Sequence, residues 1–144
     1  MYYLSTEAAF DAAHFLKGYK GKCSNLHGHR WRVLVRIKSE KLIADGQEKG
    51  MITDFGNIKT VLKKEVDYFD HSFIYEKGSL KDTTLSALND EGFLLREVAF
   101  RPTAENFSGY FYDLISSKGF DVDEVCVYET PNNCASYREC DRRI

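Results

Sequence analysis

The chain has 144 residues, 43% hydrophobic and 14% aromatic, with 20 basic and 22 acidic side chains and a formal net charge of -2. That is enough apolar matter for one core, so a single domain over 1–144 is expected and a disordered chain is excluded. The charge balance excludes nucleic-acid binding driven by overall charge, while leaving room for a local basic patch that meets a phosphorylated small molecule.

Residues 2–14 alternate: Leu4, Ala8, Phe10, Ala12 and His14 share one parity, and Ser5, Glu7 and Asp11 the other. This predicts a half-buried strand with His14 on its apolar side. With Glu7, Asp11 and His14 and no basic leader, the same stretch makes a poor signal peptide. The following "FLKGYKGKC" reads as a loop. Residues 27–38 alternate again, with His27, His29, Trp31, Val33, Val35 and Ile37 on one face and Arg30, Arg32, Arg36 and Lys38 on the other. This predicts a strand with one apolar and one cationic face. A row of cations does not sit unpaired in a dry core, so that face must meet water, acidic partners or an anionic ligand.

"SEKLIADGQEKG" is a polar turn, and "MITDF" is expected to resume extended structure. Phe55, Ile58, Leu62, Val66 and Phe69 recur at helical spacing, with Asp54 placed as N-cap. "FDHSF" follows the helix end. Residues 76–101 suggest no more than a short helix and a short strand. Thr103 then caps a second main helix whose stripe is Phe107, Phe111, Leu114 and Ile115. "DEVCVYET" and "CASYREC" read as two strands joined at "PNN". The expected fold is α+β, a four-stranded antiparallel sheet with two helices on one face. No apolar run approaches the ~18 residues of a membrane span. Cysteines at 23, 126, 134 and 140 form no C-x-x-C pair or disulfide framework, which fits a reducing cytoplasm.

Side chains two apart on a strand point the same way, so His27 and His29 can present two imidazoles to one point. If the first two strands pair as a hairpin, His14 joins them. Three histidines with an open position make a catalytic zinc arrangement, and nitrogen ligands suit zinc among the common ions. Cys23 is open to three readings: a fourth ligand, a reactive thiol, or an inert loop residue. Asp70 and His71 form either an orienting carboxylate–imidazole pair or a polar helix end. Glu129 shares parity with Val125 and Val127. It therefore needs a partner, either an arginine of the basic strand or a ligand with two adjacent N–H donors.

The ordered set "AAH", C-x-x-x-H-G-H, "GMITDF", "DH", "PTAEN" and "ET", running from Phe10 to Tyr137, resembles the 6-pyruvoyl-tetrahydropterin synthase family. The three-residue gap between Cys23 and His27 resembles its bacterial 6-carboxy-tetrahydropterin synthase branch, which serves queuosine biosynthesis. The resemblance implies His14, His27 and His29 as zinc ligands and Cys23 as a catalytic thiol. It implies Asp70 and His71 as proton-transfer residues and Glu129 as the pterin anchor, with Glu105 and Thr103 of "PTAEN" near the substrate. It further implies the tunnelling fold, in which three subunits join their sheets into a barrel lined by the cationic face. Two such rings stack into a homohexamer. The implied reaction takes 7,8-dihydroneopterin triphosphate to 6-carboxy-5,6,7,8-tetrahydropterin, acetaldehyde and triphosphate. Lys17, Lys20, Lys22 and Arg30 are triphosphate candidates by charge and nearness. The alternatives are a 6-pyruvoyl-tetrahydropterin synthase, which keeps the side chain, and a non-catalytic pterin- or metal-binding member. The chain departs from the family at Arg30-Trp31, where Asn-Tyr is common, and in a longer 76–101 segment.

Overall fold

The computed structural model describes residues 1–140. Strand β1 (Tyr2–His14) and strand β2 (His27–Ser39) form a long antiparallel hairpin in the register His14↔His27, Ala12↔His29 and Phe10↔Trp31. The two alternating patterns thereby fall on the same sides. Phe10, Trp31, Val33, Val35 and Ile37 are buried on one face.

Helix α1 (Phe55–Asp67) starts where Asp54 accepts the Gly56 N–H at 2.7 Å. It buries Ile58, Leu62 and Val66. Phe69 joins the core from just past its end, whereas Phe55, expected in the stripe, is 59% exposed. Next come β3 (Ser72–Glu76), α2 (Asp82–Asp90) and β4 (Leu95–Val98). Helix α3 (Ala104–Ser117) begins where the Thr103 hydroxyl accepts the Asn106 N–H at 3.2 Å. It lays Phe107, Phe111 and Ile115 on the sheet, and β5 (Val122–Thr130) and β6 (Asn133–Tyr137) follow.

Among the described residues the sheet has six strands in the order β4-β3-β1-β2-β5-β6, not the four expected, and it is mixed. β3 pairs parallel with β1, and β4 parallel with β3. Parallel neighbours need a crossover, and α2 supplies it between β3 and β4. Among the described residues there are three α-helices rather than two, but α2 buries no residue, so α1 and α3 remain the layer over the core. The "MITDF" segment is not extended. Main-chain bonds from Ile43 to Met51 and from Gly50 to Ile43 fold that loop back on itself, and Glu48 accepts the Asp54 N–H at 3.0 Å.

On the opposite face the cationic row meets acids from the flanking strands. Arg30 pairs with Asp11 at 3.1 Å, Arg32 with Glu7 at 3.3 Å, and Arg36 with Asp123 at 2.7 Å. Arg32 also lies over the Tyr128 ring, 4.0 Å from its centroid. None of the described helices is long and apolar enough to cross a membrane.

Candidate metal centre

The core face of the sheet ends in imidazoles. His14 stands directly opposite His27, and His29 follows two positions along, above Trp31. The His14 and His29 rings meet the indole edge-on at centroid distances of 4.9 and 5.6 Å. Trp31 itself lies parallel to Phe10 and donates its indole N–H to the Ala12 carbonyl at 3.3 Å. The aromatic of the Arg30-Trp31 departure thus forms an apolar floor under the imidazoles.

Among the described residues, one group of metal-ligating type converges: His14, His27, His29 and Glu129, with one ligand atom of each within 4.8 Å of the others. The backbone fixes two of the rings. His14 Nδ1 faces the Pro102 carbonyl at 2.7 Å, and His27 Nδ1 faces the Asn25 carbonyl at 2.7 Å. A carbonyl only accepts, so each Nδ1 carries the proton and each neutral ring turns a lone pair out through Nε2. Those two Nε2 atoms lie 3.1 Å apart. Two lone pairs at that distance repel unless a cation or a proton lies between them. Glu129 Oε1 stands 3.0 Å from His29 Nε2, out of line for a hydrogen bond, so this buried nitrogen has no hydrogen-bond partner.

Electrostatics favours the ligand form. Burial first, aided by His27 and His29 and opposed by the Pro102 hydrogen bond, lowers the His14 pKa from 6.5 to about 4. Burial also lowers His29, opposed by Glu129 and aided by His27. Neutral imidazoles are what a metal binds. The orphaned nitrogen, the facing lone pairs and the nearby carboxylate all fit a divalent cation, and the nitrogen-rich donor set suits zinc.

The other expected residues lie around this group, not within it. Cys23 is half-buried in a single 3-10 turn, Lys22–Ser24, and its carbonyl accepts the Leu16 N–H at 2.9 Å. Its sulfur is outside the converging group. Asp70 and His71 do touch: Asp70 Oδ2 accepts from His71 Nδ1 at 2.8 Å. His71 has φ 56, a left-handed conformation that side chains rarely adopt, on the turn entering β3. The hydrogen bond that His71 donates to Asp70, and then the Asp70 charge, raise the His71 pKa, while the Asp11 N–H and then His71 hold Asp70 low. Thr103 is spent as the α3 cap, next to the Pro102 carbonyl that orients His14. Glu105 is exposed in the first turn of α3 and is not one of the converging four.

Two cavities flank His29. One, of about 450 Å³, is bounded by Arg32, Tyr128, Glu129 and Thr130. The other, of about 430 Å³, is bounded by Asp11, His71 and Ser72. Gly28, His29 and Arg30 line both. Parity had placed Glu129 on the core face, but its nearness to His29 rather than an arginine had no sequence signal. Neither did the orienting carbonyls of Asn25 and Pro102, which any residue could provide.

The sequence profile of a family described as 6-pyruvoyl tetrahydropterin synthase matches residues 3–140. The chain is 34% identical over 145 residues to the 6-carboxy-5,6,7,8-tetrahydropterin synthase of Haemophilus influenzae, covering 96% of this chain and 100% of that one. Among solved structures it resembles an uncharacterised protein of Wolinella succinogenes, with TM-score 0.80, 22% identity and coverage of 96% and 98% of the two chains. It also resembles 6-pyruvoyl tetrahydropterin synthase of Plasmodium vivax, with TM-score 0.71, 21% identity and coverage of 96% and 97%. At those identities the structural likeness establishes the fold alone.

Proposed function

The chain belongs to the 6-pyruvoyl tetrahydropterin synthase family, and on that premise we propose that it is a zinc-dependent 6-carboxy-5,6,7,8-tetrahydropterin synthase of queuosine biosynthesis. Its substrate is 7,8-dihydroneopterin triphosphate, and its products are 6-carboxytetrahydropterin, acetaldehyde and triphosphate. The observation that carries this reading is the convergence of His14, His27 and His29, with the Nδ1 protons of His14 and His27 already engaged by main-chain carbonyls.

His14, His27 and His29 would hold the zinc. When bound, it would supply Lewis-acid polarisation of the substrate's side-chain hydroxyls. Cys23, on the loop between β1 and β2, moves a proton as a thiol rather than binding metal, consistent with its sulfur lying outside the converging group. Asp70 orients His71 through Nδ1, which leaves Nε2 to exchange protons with the substrate side chain. Glu129 accepts two parallel hydrogen bonds from the pterin N–H and amino groups. Thr103 and Glu105 contribute at the substrate's edge, and the exposed Lys17, Lys20 and Lys22 receive the triphosphate.

Assembly as a homohexamer of two trimers fits a sheet whose outer strands, β4 and β6, each leave an edge unpaired among the described residues. A cytoplasmic location fits the four free thiols of the described residues. The test is the product formed from 7,8-dihydroneopterin triphosphate. The proposal expects a carboxylate at C6 and free acetaldehyde. A product that keeps its three-carbon side chain would favour the pyruvoyl reaction instead.

A further inference from the structure

Asp11 is tied to the Asp70–His71 pair through its main chain. Its N–H donates to Asp70 Oδ1 at 2.8 Å, and its carbonyl accepts the His71 N–H at 2.7 Å. These two bonds bracket a residue held at positive φ, so they help hold a conformation that is costly on its own. The Asp11 side chain points to the cationic face and pairs with Arg30 at 3.1 Å. Asp11, Arg30, His29 and His71 then line one cavity.

We propose that Asp11 is a positioning residue for the proton-transfer pair, and that Arg30 sets how much of the Asp11 charge reaches His71. The inference rests on the reading of Asp70–His71 as proton-transfer residues. The main-chain bonds fix where the pair sits. The carboxylate is a second negative charge beside the imidazole, and Arg30 partly cancels it. The groups facing His71 are Asp70 from its own turn, Asp11 from β1, and Arg30 and His29 from β2 across the cavity. The Asp11 charge raises the His71 pKa in the same sense as Asp70 does, by less. Both members of the Asp11–Arg30 pair are solvent-exposed, so the coupling is screened and weakens with salt.

The test is an NMR titration of the His71 ring protons in the zinc-loaded protein at low ionic strength. Asp11→Asn keeps both main-chain bonds and removes only the charge, and should move the His71 midpoint to lower pH. Arg30→Met should move it to higher pH. Asp11→Glu should restore the wild-type midpoint, and high salt should shrink both shifts. The limb of the pH–rate profile that reports His71 should move with the midpoint in each variant, at unchanged zinc content. Midpoints that stay put in both variants, or move in the same direction, would overturn the proposal. If the midpoints move as stated but no carboxylated product forms, the functional reading fails while the coupling stands. If product forms and the midpoints do not move, only the coupling fails.

Discussion

Glu129 Oε1 stands 3.0 Å from His29 Nε2, at the end of the strand parity that Val125 and Val127 establish. The carboxylate belongs both to the group around the imidazoles and to the cavity beside Tyr128. Glu129→Gln separates the two uses. An amide cannot accept two parallel hydrogen bonds or offset charge. Substrate affinity should therefore fall by about 10- to 100-fold, the scale of hydrogen bonds to charged groups, with zinc content unchanged. Lost zinc at unchanged substrate affinity would make Glu129 a ligand instead.

His14 predicts how the metal-free protein responds to acid. Its pKa is lowered from 6.5 to about 4, so below pH 6.5 the unfolded chain binds protons that the folded chain refuses. Stability of the apoprotein should rise with pH from about 4 to about 6.5 and level off above. His29, also lowered by burial, acts in the same sense. Urea unfolding across this window should show a shallower rise in His14→Gln. An equal slope in the variant would mean that His14 is not held neutral.

Cys23 decides between chemistry and coordination. As a proton-transfer thiol, its replacement by alanine should keep zinc and substrate binding and lower turnover by at least ~10²-fold. Elemental analysis paired with single-turnover kinetics reads both quantities. Near-normal turnover would remove Cys23 from the mechanism, and lost zinc would make it a ligand.

Much of the centre was legible in the sequence because strand geometry is simple. A period of two placed His27 and His29 together, and hairpin pairing brought His14 opposite. The cap residues Asp54 and Thr103 marked the two main helices for the same local reason. Strands β3 and β4 were hard to read, beyond one short strand suggested within 76–101, because their pairing is parallel and their bodies are short. "LREV" spans four residues with two charges, and "SFIYE" spans five. Neither carries a pattern of its own, and each becomes a strand by parallel pairing with a strand already in place, β3 with β1 and β4 with β3. The Asp70–His71 contact was open in the sequence because the positive φ at His71 depends on the main chain of Asp11, 60 residues earlier.

Among the described residues the sheet has open edges at its outermost strands, β4 and β6. Open edges invite pairing with further copies, here without the long apolar stretch that leads to aggregation. Light scattering at micromolar concentration should give the mass of about six chains. A stable monomer would contradict the assembly and the barrel with it.

The most direct measurement is the mass spectrum of the pterin formed from 7,8-dihydroneopterin triphosphate, taken for the zinc-loaded protein, the metal-stripped protein and His27→Ala. The account predicts 6-carboxytetrahydropterin with an equivalent of acetaldehyde from the loaded protein alone, and recovery of the stripped protein when zinc is returned. A 6-pyruvoyl product, or the carboxylated product formed equally well by the stripped protein and by His27→Ala, would contradict it.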